Sequence, residues 1–241
     1  MAGQITGQDA AVLLSSKDIS GDGNSFSISH SADTPENTAY GDNTRTRLAG
    51  LKDWSMEVTG FFNDELGHWE EELKDLLGGS SLLGVFPGGA TACMIGYEGT
   101  PLASDFSLDT PVDGAVTLSA TFTGSGDLWR SYVTSACVST CTAAVSYTDG
   151  VDTGATATEC QGFLRVMDLA SGSDDTLIVK IQDSSDDSSY GDLITFTTVT
   201  AGSVSETKSA AGSREQYVRA SYNITTACLE TAEFTFVVSA T

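Results

Sequence analysis

The sequence predicts a mainly β protein of two domains with a single flanking α-helix. Three observations carry this. Short runs rich in Val, Ile, Thr, Phe and Tyr alternate apolar and polar residues with period two, as a pleated surface requires. Gly, Ser, Thr and Asp punctuate those runs, and only four prolines occur in 241 residues. One segment alone changes to a helical period.

Taken in chain order, the first strand-like run is Phe26–Ser29. It is entered through Asp18-Ile19-Ser20-Gly21-Asp22-Gly23-Asn24, which opens like a calcium loop, with oxygens at alternate positions and Gly at the sixth. The twelfth position should be a bidentate Glu and is Ser29, so a Gly-rich turn before a strand is the better reading. Ser29–Leu48 is a long polar stretch holding Thr34–Thr38, Arg45 and Arg47. A loop of that length inside a compact domain is usually functional or disordered. His30 opens it and reads as solvated.

Lys52–Phe61 alternates from Trp54 to Val58, which puts Trp54, Met56 and Val58 on one face before a break at Gly60. From Asn63 to Gly79 the period becomes helical, with Leu66, Trp69, Leu73, Leu76 and Leu77 on one side. Asn63 or Asp64 can cap the start and Gly78 can end the helix. About 14 helical residues give a rod of roughly 21 Å, enough to lie across a sheet. His68, without a Ser or Cys beside it, reads as a helix-surface residue. Cys93, next to Met94 and Ile95, reads as core. Ala115–Phe122 alternates again.

Thr123-Gly124-Ser125-Gly126 reads as a hinge, giving domains at 1–124 and 125–241. Beyond it Thr176–Ile181, Leu193–Val199, Gln216–Tyr222 and Glu233–Val238 alternate as strands of a second β-sandwich or jelly roll. Asp183-Ser184-Ser185-Asp186-Asp187 could hold a cation but reads better as a solvated hairpin tip. Cys137, Cys141, Cys160 and Cys228 fit two disulfides or buried free thiols, while the Cys-x-x-Cys spacing of a zinc site is absent.

Charge excludes several functions. Acidic residues number 33 against 11 basic, a net charge of −22. Such a chain repels phosphate and anionic lipid, which excludes a protein that wraps nucleic acid but not a conduit through which DNA slides. Both expected domains share the excess, with 18 acidic and 5 basic residues in 1–124 and 15 and 6 in 125–241. No apolar run approaches the ~20 residues of a membrane span. Ala10–Leu14 is too short for a signal core and has no basic leader, so synthesis and folding in a cytoplasm are expected. Two histidines, His30 and His68, leave little room for His-based catalysis or metal binding. No Gly-x-Ser-x-Gly elbow or phosphate loop occurs. No catalytic residue, metal or cofactor is expected.

A family resemblance rests on several runs in order. Gly41-Asp42 with Arg45, then Gly50-Leu51-Lys52-Asp53-Trp54-Ser55 and Gly60-Phe61-Phe62-Asn63-Asp64, resembles the front half of a phage major tail tube protein. Phe106-Ser107-Leu108 and Gly114–Gly126 are similar to the closing strands of that domain. Leu177–Asp186, Leu193–Phe196, Tyr217–Ala220 and Phe234–Val238 resemble the extra outer domain that some such proteins carry. The resemblance implies a tail-tube-type β-sandwich with a flanking helix in 1–124 and an outer decoration domain in 125–241. It implies homohexameric rings stacked into a virion tail tube, a tape measure and a tail terminator as partners, and DNA crossing the lumen without specific binding. Two rivals stand beside it. A carbohydrate-binding or host-adhesion module would use exposed aromatics, for which Trp129, Phe163, Tyr147 and Tyr190 are candidates. A virion glycan depolymerase would need paired carboxylates, but so acidic a chain makes any chosen pair meaningless.

Overall fold

The computed structural model describes residues 7–63, 69–91, 93–136, 145–168, 176–200, 202–210, 212–224 and 233–240. In chain order, a 3-10 turn at Gly7–Asp9 leads into β1 (Ala11–Leu14) and β2 (Lys17–Asp18), and a second at Ser20–Asp22 leads into β3 (Gly23–Ala32). There follow β4 (Lys52–Phe61), α1 (Trp69–Leu76), β5 (Leu83–Phe86), β6 (Ile95–Gly99), β7 (Leu102–Asp109), β8 (Thr117–Thr123) and β9 (Trp129–Ala136). The last eight strands are β10 (Val145–Tyr147), β11 (Val151–Asp152), β12 (Cys160–Asp168), β13 (Leu177–Ser184), β14 (Gly191–Thr195), β15 (Val204–Ser209), β16 (Tyr217–Ile224) and β17 (Glu233–Ala240). The fold is mainly β, and the described strand pairs are antiparallel.

The chain passes repeatedly between two compact units. One comprises Met1–Gly21, Leu82–Gly99 and Trp129–Thr241, and the other Asp22–Ser81 and Thr100–Leu128. These are not the halves 1–124 and 125–241. Strand β6 precedes position 124 and β9 follows it, yet they pair at Gly96↔Ser131. Gly124 is required by packing, and Gly126 takes a positive φ of 91°. Gly124 lies under Trp54, where an added Cβ would come within 2.5 Å of the indole. Its N–H donates to the Trp54 carbonyl at 2.8 Å, and the Trp54 Nε1–H donates to the Gly126 carbonyl at 2.8 Å.

The first unit is a sandwich. Its eight-stranded sheet runs β15-β12-β17-β9-β6-β5-β1-β2, and its five-stranded sheet runs β10-β16-β13-β14 with β11 also on β16. Leu164 and Val166 of β12 meet Leu177, Val179 and Ile181 of β13 and Val218 and Ala220 of β16 in one buried cluster. Period-two alternation puts Phe163 on the opposite side of β12, in a second cluster with Leu13, Leu82, Phe86 and Val133.

The second unit is a four-stranded sheet, β3-β4-β8-β7, with α1 against β7. Its strands follow the alternation strictly. Trp54, Met56 and Val58 of β4 and Leu118, Ala120 and Phe122 of β8 are buried on one face. Strand β4 continues through Gly60 to Phe61 rather than breaking there. Leu73 is buried, as the helical period requires, and Gly78, at φ 78°, follows the helix end as expected. Leu77, expected on the same face, is 55% exposed because the chain has left the helix by then. Leu66 and His68 lie outside the described residues.

Candidate functional site

Two surfaces and one buried pair collect the residues with chemical potential. The first surface is the outward face of the four-stranded sheet. Register aligns Ser27 of β3 with Glu57 of β4, Glu57 with Thr121 of β8, and Thr121 with Asp105 of β7. The next row is Ser25, Thr59, Ser119 and Ser107. Hydroxyls bond one another across it, as Ser107 Oγ and Ser119 Oγ do at 2.9 Å. The ionic groups on this parity are Asp53, Glu57, Asp105 and Asp109, so the wall is hydroxylated and acidic without a described Lys or Arg.

Both ends of this sheet are edges among the described residues. Strand β7 is covered only at its start, where Gly78 N–H donates to the Ala103 carbonyl and Ala103 N–H to that of Gly79. Between β3 and β4 the chain extends as an arm. Asn37 N–H donates to the Thr46 carbonyl and Leu48 N–H to the Pro35 carbonyl, both at 3.0 Å, and Glu36 bridges Arg47. The polar stretch is thus a laddered hairpin. From 33 to 51 every residue except Thr38 is exposed, including Tyr40, Leu48 and Leu51. His30 is exposed at the end of β3 beside it.

The second surface is the outward face of the five-stranded sheet. Alternation sends Val218 and Ala220 inward and Arg219 outward. The Arg219 guanidinium lies 4.3 Å from the Tyr147 ring centroid and 3.9 Å from that of Tyr190. Arg219 Nε–H donates to Gln182 Oε1 at 3.0 Å, Gln182 Nε2 to Asp192 Oδ1 at 2.7 Å, and Lys180 Nζ to Asp192 Oδ2 at 2.6 Å. These donors, Gln182 first and then Lys180, hold the Asp192 carboxyl below the usual carboxylate range. Tyr190 donates its hydroxyl to Asp187, and burial followed by that bond pushes its pKa up to about 12.

The aromatics singled out from sequence therefore separate. Tyr147 and Tyr190 come together around Arg219, which sequence reasoning missed although the alternation of Tyr217–Ala220 places it outward. Phe163 is 1% exposed and belongs to the core, because β12 is buried on both faces. Trp129 is half-buried against the Phe163 cluster.

The buried pair is Arg165 Nη1 and Glu98 Oε1, 2.9 Å apart and both inaccessible to solvent. Burial dominates over Arg165 and pushes the Glu98 pKa up to about 7.

The remaining candidates fall into structural roles. Asp18 Oδ1 accepts the Ser20 N–H at 2.9 Å, closing the turn before β3. Asp186 accepts N–H donors from Ser188 and Ser189 at the tip after β13, and those bonds, with the Ser184 and Ser188 hydroxyls, hold its carboxyl far below the usual range. Cys93 is exposed in a turn at φ 67°, a correction to its expected place in the core. Cys160 is a buried free thiol whose pKa burial raises to about 12. Cys137, Cys141 and Cys228 lie outside the described residues. Among the described residues no three His, Cys, Asp or Glu side chains gather as a metal site, and no helix is long and apolar enough to cross a membrane.

No protein-family model and no curated protein matches the chain. Solved structures do. A chain from the virion of a native gene transfer agent particle is 17% identical with a TM-score of 0.45, and the alignment covers 53% of this chain and 98% of that one. The SPP1 tail tube is 17% identical with a TM-score of 0.43, over 51% of this chain and 77% of that one. The SPP1 Dit protein, described as a hub adsorption apparatus of phages infecting Gram-positive hosts, is 10% identical with a TM-score of 0.37, over 96% and 98%.

Proposed function

We propose that this chain is a structural subunit of a phage tail, associating with copies of itself in hexameric rings that stack into the tube through which DNA is ejected. The observation that carries this reading is the β3–β4 arm: it is ordered by its own hydrogen bonds and exposed from end to end, so its apolar side chains serve a neighbour. The sheet behind it offers edges on β3 and β7, and edges left open favour pairing with another chain. A head-to-tail contact of one edge with the next subunit's other edge closes a ring when the rotation is right. The hydroxylated, acidic face then lines the channel, where like charge keeps DNA phosphate from sticking.

Ring contacts are assigned to the unit of Asp22–Ser81 and Thr100–Leu128, and an outward role to the five-stranded sheet beyond position 124. The tape measure and tail terminator are the further partners of this reading. The protein is made in the host cytoplasm, ends in the virion tail and performs no catalysis. Sedimentation velocity of the full chain tests the reading, with rings or stacked tubes expected. Deleting Thr34–Tyr40 should leave a folded protein that fails to stack, and stacking at wild-type length would overturn the arm's role.

A further inference from the structure

We propose that the outward face of the five-stranded sheet binds a neutral saccharide, with Tyr147 as its stacking platform. Tyr147, Ile178, Lys180, Gln182, Asp192, Ser221 and Asn223 line a recess of about 360 Å³. That volume lies within the ~300–1,000 Å³ of small-molecule sites. Arg219 covers one side of the Tyr147 ring, while the residue as a whole is 54% exposed, which leaves ring surface facing the recess. The electron-rich face of an aromatic ring attracts weakly positive C–H groups, which a pyranose presents on one side. Around the ring stand fixed polar groups of both kinds. Asp192 carries further lone pairs beyond its bonds to Gln182 and Lys180, and Asn223 and Ser221 offer donors and acceptors to sugar hydroxyls.

Charge selects the ligand class. In a chain of net −22, the ionic residues that line the recess, Lys180 and Asp192, pair with each other at 2.6 Å, so its lining is neutral, while Arg219 lies over the Tyr147 and Tyr190 rings and donates to Gln182. An anion finds no unpaired cation among the lining residues and meets the repulsion of the whole chain. A neutral sugar loses nothing to either. The proposal is independent of ring assembly, since no step of it uses a second copy.

The test titrates the full chain with lactose, maltotriose, cellotriose and chitotriose, and with anionic sialyllactose, read by saturation-transfer NMR. Binding of at least one neutral sugar is expected, with Tyr147→Ala weakening it about tenfold or more. Ile178→Trp, which fills the recess without touching the polar groups, should weaken it likewise, and Tyr147→Phe should retain it. No binding by any neutral sugar, preference for sialyllactose, or binding indifferent to Tyr147→Ala and Ile178→Trp would each overturn the proposal. Assembly scored in the same preparations stands or falls separately.

Discussion

The sandwich unit and the four-stranded unit differ in where they leave apolar surface. Of the twelve large hydrophobic side chains exposed among the described residues, nine belong to the smaller unit. The sandwich keeps three, Met94, Ile95 and Tyr147. The smaller unit is also the more charged for its length, with 16 acidic and 4 basic residues against 17 and 7. Like charge around displayed apolar side chains opposes their nonspecific association, while the apolar surface still rewards a matched partner. The sandwich instead buries even a charged pair, Arg165 and Glu98, while the smaller unit leaves most of the exposed apolar side chains in view.

Breaking the sandwich from within should have the largest effect. Glu98→Leu leaves Arg165 buried without its carboxylate and should cost about 3–5 kcal/mol, read from a denaturant midpoint. An unchanged midpoint would mean that the pair is reached by water. In the other unit, Leu73→Ala should cost about 2–5 kcal/mol, since its side chain is 1% exposed. A thermal midpoint equal to wild type would place that helix face in solvent.

A smaller effect follows from pH. Native Glu98 keeps its proton up to about 7, while its ordinary value is 4.5. Between the two the native state binds more protons, so this group's stabilisation is full below the lower value and is lost as pH rises through the upper one. The loss is on the order of 3 kcal/mol. The difference between wild type and Glu98→Gln, followed from pH 4 to pH 8, isolates it; parallel curves would refute the shift. The smallest effect on stability belongs to the arm. Leu51→Ser should change unfolding by less than about 0.5 kcal/mol while weakening self-association. A large loss of monomer stability would show that Leu51 is packed within its own chain.

The sequence made the half-buried strands legible and hid the others for a physical reason. Strands β4 and β8 alternate because one face is apolar and the other polar. Strand β5 is buried at all four positions and so shows no alternation. Strands β6 and β12 carry Glu98 and Arg165 at interior positions, where a charge reads as surface until its partner from a distant strand is known. That two-sided burial also misassigned Phe163. Cys93 reads as core from its apolar neighbours, yet Met94 and Ile95 are themselves exposed beside it. Glycine at 124 reads in sequence as freedom, whereas the ring of Trp54 beside it leaves no room for a side chain there. Of the candidate sites, the acidic face follows from alternation alone. The Tyr147–Arg219–Tyr190 stack does not, because three separate segments supply it.

Electron cryo-microscopy of the purified, assembled protein decides whether the smaller unit closes into rings. Six-fold rings are expected in which β3 of one subunit lies beside β7 of the next, with Ser27, Glu57, Thr121 and Asp105 facing the lumen. A protein that stays monomeric at high concentration, or rings with that face turned outward and basic residues lining the channel, would contradict that arrangement.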